Sequence, residues 1–250
     1  KMIALLGQRT GEMHLELAAG TTDQHIKPEA FSLLYQKSLY QSIRGLIRKM
    51  ISLLRKNLNQ IPEEHKEFAH GILKNEKKVL KNLEIIKSGK IDSMKTRIHG
   101  DYHLGQVLFT GKDFYIIDFE GEPARALSER QLKFCPLRDV AGMVRSFHYA
   151  VYSVYYKYRE NRPEDARNIE AWINPWFKTI TGIFLNAYME TTKGAKFIPG
   201  NKKDLETLLN VYLLDKAFYE LGYELNNRPD WAVIPLTGIH AVVDGFNDEH

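Results

Sequence analysis

His99-Gly100-Asp101-Tyr102-His103-Leu104-Gly105-Gln106-Val107-Leu108-Phe109, followed shortly by Phe114-Tyr115-Ile116-Ile117-Asp118-Phe119-Glu120-Gly121-Glu122-Pro123, decides how the chain is read. A polar loop carries a carboxylate, Asp101, and then an amide, Gln106. Val107–Phe109 and Phe114–Ile117 are β-prone runs, and Thr110-Gly111-Lys112-Asp113 between them reads as a hairpin turn. Strands joined by a tight turn lie side by side, so the start of the first neighbours the end of the second. Gln106 and Asp118 are therefore expected to converge beside Asp101. Oxygen donors on adjacent strand ends suit a hard cation such as Mg²⁺, which adds waters and phosphates to a few protein ligands. Asp101 is then available as a base. Placing an acceptor hydroxyl against a metal-bound phosphate and taking its proton is what phosphoryl transfer requires.

Outward from this segment the pattern is helical. Residues 1–93 read as a helical part, 94–135 as the catalytic loop and metal-binding hairpin, and 136–250 as a second helical part. Thr10 is a candidate N-cap with Met13, Leu17 and Ala18 on one face, and Thr21-Thr22-Asp23 closes that segment. Pro28 permits a new start. Phe31, Leu34, Tyr35, Leu39, Ile43, Leu46, Ile47, Met50, Ile51 and Leu54 recur at steps of three and four, predicting a long amphipathic helix with a break near Gly45. Pro62-Glu63-Glu64 opens the next helix, striped by Phe68, Ile72, Val79, Leu83 and Ile86; its lysines read as a solvated face. After Pro136, Val140, Met143, Val144, Phe147, Val151, Val154, Tyr155 and Tyr158 form one stripe with Asp139 as candidate N-cap. Asn161–Asp165 reads as a polar loop. Helices follow through Trp172–Thr191 and Asp204–Asn226.

Composition narrows the class. The chain has 250 residues, 44% hydrophobic and 26% charged, as in ordinary folded proteins. A formal charge of +4 is too small to argue for nucleic-acid binding. The lone Cys135 excludes an internal disulfide framework and suits a reducing compartment. No run approaches the ~18 apolar residues of a membrane span, and the first residues lack the features of a signal peptide. The expectation is a cytoplasmic protein with neither membrane nor nucleic-acid partners.

The loop resembles the H-G-D-x-H-x-x-N variant of the aminoglycoside phosphotransferase and protein-kinase-like superfamily, with Gln106 where Asn is usual, and Asp118-Phe119-Glu120-Gly121 resembles the metal-binding turn that follows a hairpin as D-F-G in protein kinases. Pro136-Leu137-Arg138-Asp139-Val140-Ala141-Gly142-Met143 and Tyr223-Glu224-Leu225-Asn226-Asn227-Arg228-Pro229-Asp230-Trp231 narrow the resemblance to the bacterial maltokinases, from about residue 5 to residue 240. The resemblance implies a mainly α, protein-kinase-like C-terminal lobe with a small catalytic β-hairpin. It implies ATP as co-substrate, Mg²⁺ as cofactor, and transfer to the anomeric hydroxyl of maltose or a related sugar. A trehalose synthase domain is often fused in that family. The chain opens with Lys1 and shows neither a Gly-rich loop nor a V-A-x-K-like lysine. The nucleotide-binding lobe is thus expected to be absent, and the isolated chain to show little kinase activity.

The site residues carry these expectations. Asp101 is the base, and Gln106 and Asp118 hold the metal. Glu120 either assists through water or a second metal, or is a solvated carboxylate. The resemblance makes His99 and Asp139 structural supports of the loop. His103 either contacts sugar or phosphate or orders the loop; Arg138 either contacts sugar or joins an internal ion pair. Tyr223, Glu224, Asn227, Arg228 and Trp231 supply the aromatic faces and forked polar groups a sugar needs. They equally read as a capped helix end with Trp231 in the core. Two rivals remain. One is a zinc-type hydrolase using the alternating His99, Asp101 and His103; the other is a non-catalytic module that binds a glucan or a protein. A kinase with a different hydroxyl acceptor is a third possibility.

Overall fold

A computed structural model describes residues 1–19, 26–123 and 126–245. The chain divides into two compact units, and its path alternates between them. The first comprises Lys1–Phe31 and Asp92–Lys202; the second comprises Ser32–Ile91 and the chain from Lys203 onward. These boundaries differ from those of the three sequence segments.

In the first unit, helix α1 (Met2–Leu17) runs unbroken through Thr10. Thr10 is buried inside the helix, not at its cap, and its hydroxyl bonds to Leu6 O and the Tyr102 hydroxyl, both within 2.8 Å. The expected terminator Thr21–Asp23 lies outside the described residues. Pro28 precedes not a helix but a two-residue strand, β1 (Glu29–Ala30), paired antiparallel with β2 (Met94–Lys95). Glu29 lies 2.8 Å from Lys95 and 2.7 Å from Lys133, and these two ammonium groups hold its carboxyl down to about 2. The hairpin forms as predicted: β3 (Val107–Phe109) and β4 (Phe114–Ile116) pair with Val107 opposite Ile116 and Phe109 opposite Phe114. A one-turn helix, α5 (Leu127–Arg130), follows.

Two long helices frame the site. Helix α6 (Leu137–Asn161) begins at Pro136 without a side-chain cap, so Asp139 sits in its first turn, not at its N-cap. Only the first half of its stripe is buried: Val140, Met143, Val144 and Phe147 are enclosed, whereas Val154 and Tyr158 are exposed. The polar loop expected at Asn161–Asp165 shrinks to Arg162, because Pro163 suits a first helical position and opens α7 (Pro163–Thr191) at once. Helix α1 packs along α7. A Cβ at Gly11 would stand 2.8 Å from Thr191, and one at Gly7 would strike the Phe184 carbonyl, so glycine sets how near the helices lie. Phe147 of α6 meets Phe184 of α7 edge-on at 5.3 Å.

The second unit is helical throughout its described residues. Helix α2 (Leu33–Lys56) starts at Ser32, whose Oγ accepts from Tyr35 N, and continues through Gly45 without a break. The helix expected from Pro62 is divided into a 3₁₀ turn (Glu63–His65), α3 (Lys66–Lys74), α4 (Glu76–Leu83) and a second 3₁₀ turn (Glu84–Lys87). Helices α8 (Lys202–Asn227) and α9 (Val233–Gly245) complete it. Ile47, Leu54, Leu83, Leu221, Leu236 and Ile239 are almost wholly buried. No helix among the described residues is long and apolar enough to cross a membrane.

Candidate active site

The loop His99–His103 is fastened from below. The Asp139 carboxylate accepts the backbone N–H of His99 at 2.7 Å and that of Gly100 at 3.0 Å. It is buried and also receives His14 Nε2 of α1 at 3.2 Å. The other ring nitrogen of His14 lies 3.0 Å from the Tyr188 hydroxyl of α7. A tautomer with hydrogen on Nε2 satisfies both contacts, and burial holds the Tyr188 hydroxyl protonated as a donor. A chain of buried polar groups thus runs from α7 through α1 and α6 to the loop backbone. Gly100 takes φ +89°, which glycine adopts at no steric cost, and Leu104 N donates to Ser146 Oγ of α6 at 3.0 Å. Gly142 completes the seat, since a Cβ there would stand 2.7 Å from the Tyr102 carbonyl oxygen.

Above this seat lie His99, His103 and the base of the hairpin. His99 is buried, its Nε2 2.8 Å from the Ile117 carbonyl and its ring between Tyr102 and Phe119, with centroids 5.3 and 4.9 Å away. It joins the loop to the end of β4. His103 caps the 3₁₀ turn Leu104–Gln106 by accepting Gly105 N at 3.0 Å. Its Nε2 lies 3.7 Å from Asp101 Oδ2. Gln106 Nε2 donates to Asp118 Oδ2 at 2.9 Å, and Gln106 O accepts Ile117 N at 3.0 Å. Asp118 has φ +65°, the one positive value for a non-glycine among the described residues. Aspartate tolerates this region better than most residues, and such strain is concentrated at functional sites. Glu120 lies 3.9 Å from Arg130, in the chain just beyond.

The donor set fits a hard cation. With one amide hydrogen on Asp118, Gln106 keeps its Oε1 and Asp118 its other oxygen; Asp118 is exposed and Gln106 half-buried, an oxygen pair that water can complete around a cation. No three His, Cys, Asp or Glu side chains among the described residues gather into a closed metal cluster. His99 turns its Nε2 to the Ile117 carbonyl, and His103 spends its Nδ1 on Gly105 N, which leaves these two rings fewer nitrogens for the zinc-type arrangement.

The remaining candidates divide. Arg138 lies over the Phe134 ring at 4.3 Å. Tyr223, Glu224, Asn227, Arg228 and Trp231 belong to the second unit. There Arg228 forks onto buried Glu224 at 2.8 and 3.0 Å and lies over the rings of Trp231 and Tyr223, at 4.8 and 5.6 Å. Asn227 Nδ2 caps the Tyr223 carbonyl at 2.7 Å. Tyr223 and Asn227 also line a cavity of about 710 Å³ with Lys49, Lys56 and Tyr219. Cys135 is buried, which pushes its thiol up to about 12 and leaves it unreactive. Sequence reading missed His14, Tyr188, Ser146 and Arg9.

No known family profile matches the chain. It is similar to a glucosamine kinase of Streptacidiphilus jiangxiensis, 25% identical over 143 residues that make up 55% of this chain and 29% of that one. It is also similar to a glucosamine kinase of Mycolicibacterium smegmatis, 27% identical over 148 residues, 58% of this chain and 34% of that one. Among solved structures, a glucosamine kinase in crystal form A superposes with a TM-score of 0.75 at 20% identity, covering 99% of this chain and 54% of that one. A glucosamine kinase in complex with glucosamine, ADP and inorganic phosphate gives 0.72 at 21% identity, covering 96% and 51%. The chain has the fold of the matching part of these sugar kinases. It spans about half the length of the solved chains, and its aligned part about a third of the curated relatives.

Proposed function

We propose that this chain supplies the acceptor and metal half of an ATP-dependent sugar kinase, as its C-terminal lobe. The observation that carries the reading is the 2.9 Å contact of Gln106 with Asp118, two oxygen-bearing side chains at the hairpin base beside the Asp101 loop. Asp101 orients the acceptor hydroxyl and takes its proton; Gln106 and Asp118 hold Mg²⁺. Bound there, Mg²⁺ would neutralise charge on the phosphates during transfer. Asp139, with His14 behind it, keeps the loop backbone in place so that Asp101 meets the hydroxyl at a fixed distance. The products are ADP and a sugar phosphate. The nucleotide-binding half is proposed to lie in polypeptide outside these 250 residues, consistent with the share of the solved kinases that the chain spans.

Two acceptors compete. An amino sugar is supported by relatives named for glucosamine. Maltose, phosphorylated at its anomeric hydroxyl, is supported by the resemblance of Pro136–Met143 and Tyr223–Trp231 to maltokinase. The test is ADP release by the full-length protein with ATP and Mg²⁺ against glucosamine, maltose, glucose and an aminoglycoside, beside its Asp101→Asn variant. Release that depends on one sugar and collapses in the variant supports the reading and chooses the acceptor. Release that survives Asp101→Asn, or no release with any acceptor, sinks it.

A further inference from the structure

The hairpin that carries Gln106 and Asp118 has little packing of its own. Two-stranded hairpins are marginal in isolation. Here Leu108, Phe109 and Tyr115 are all exposed, Tyr115 at 68%. The base is tied by His99 Nε2 at the Ile117 carbonyl. The tip is tied differently. Arg9 of α1 forks onto Asp113, with Nε 2.7 Å from Oδ1 and an NH2 nitrogen 2.8 Å from Oδ2. Asp113 Oδ1 also accepts Phe114 N at 2.7 Å, and the Asp113 carbonyl accepts from both Thr110 N and Thr110 Oγ1, which closes the turn. Glu12, one turn along α1, holds the guanidinium from behind at 2.5 Å. Among the described residues, Arg9 is the one side chain outside the hairpin that bonds to its tip.

We infer that Arg9 is a positioning residue for the metal-ligand pair, fixing the hairpin tip to α1 so that Gln106 and Asp118 stay paired at the base. The inference rests on the metal reading proposed above. Exposed ion pairs usually contribute little, because water and salt compete with them. A bidentate guanidinium–carboxylate fork differs in fixing direction as well as distance. A short hairpin with both ends fastened transmits that direction to its base; with one end loose, it pivots.

The test uses the 250-residue chain. Amide exchange at Thr110 and Ile117, and Mn²⁺ binding followed by water proton relaxation, are compared for wild type, Arg9→Ala, Arg9→Lys and Asp118→Asn. Arg9→Ala should speed exchange at both amides, leave the α6 amides unchanged, and weaken Mn²⁺ about tenfold, the lower end of the cost of losing an outer partner of a metal site. Arg9→Lys, a point charge without the fork, should fall between. Unchanged exchange, or unchanged Mn²⁺ affinity in Arg9→Ala, overturns the positioning role while leaving the metal reading intact. Wild-type Mn²⁺ binding that is absent, or that Asp118→Asn leaves intact, brings down the metal reading, and the positioning role with it.

Discussion

The His99–His103 loop and the hairpin adjoin in sequence yet are held in opposite ways. The loop rests on buried groups: Asp139 under His99 and Gly100, His14 under Asp139, and Tyr188 under His14. Water cannot replace any of these partners, so losing one strands another. The hairpin stands in solvent and is fastened at two points, by His99 at its base and Arg9 at its tip. The proposed chemistry divides the same way. A base must meet its hydroxyl at a fixed distance, which suits a loop set in the interior. A site that admits and releases a metal with its nucleotide suits an element of low local stability. The loop is held by burial; the hairpin, with Leu108, Phe109 and Tyr115 exposed, depends on its two fastenings.

The comparison breaks most visibly at Asp101. Asp101→Asn in the full-length protein should lower kcat about a thousandfold, as expected for losing a general base, with the melting temperature unchanged. A loss confined to KM would mean that Asp101 only binds. Next comes Asp139→Ala, which leaves two loop N–H groups and His14 without their acceptor. It should cost about 3 kcal/mol in urea unfolding; a cost below about 1 kcal/mol would mean that the interior does not hold the loop. Two glycines then sharpen the contrast. Gly142→Ala meets the Tyr102 carbonyl and should cost about 2 kcal/mol through overpacking. Gly111 in the hairpin turn has open space around it but φ +90°. Gly111→Ala should cost about 1 kcal/mol through backbone strain alone, and Gly111→Asn less. Equal costs for Asn and Ala at 111 would remove strain as the cause.

The convergence of Gln106 and Asp118 was legible in the sequence, and the groups beneath the loop were almost illegible. Gln106 and Asp118 meet because hairpin geometry is local: the turn Thr110–Asp113 and the β-prone runs on either side dictate which residues face each other. Asp139 was legible as a support but not in its place. Its signal is that of an N-cap, yet Pro136 starts the helix and frees the carboxylate for the loop. His14 and Tyr188 lie far from the loop in sequence, and no local pattern announces that α1 and α7 will bring them beneath it. The same holds for Thr10, whose cap-like signal inside α1 was answered by a buried bond to Tyr102. Periodicity located the helices but overstated their buried length. The α6 stripe continues to Tyr158, while burial stops near Phe147, because a stripe records which face is apolar and not whether a neighbour covers it.

The smallest expected effect concerns the Arg9–Asp113 fork. The Asp113 carboxyl is held below the ordinary aspartate range, first by its hydrogen bonds from Arg9 and then by the Phe114 N–H. A carboxyl whose pKa is depressed on folding contributes stability above its unfolded value, about 3.9, and loses that contribution as pH falls through the lower folded value. Acidification through that lower value should therefore release the hairpin tip. Carbon-13 titration of the Asp113 carboxyl should show a midpoint below about 3.9, and Arg9→Ala should move it up towards that value. Over the same range, Thr110 amide exchange should quicken while that of the amides of α6 stays level. A midpoint at the ordinary value in wild type would remove the fork from solution and leave the hairpin fastened only by His99. Loop and hairpin would then differ even more in how firmly the fold holds them.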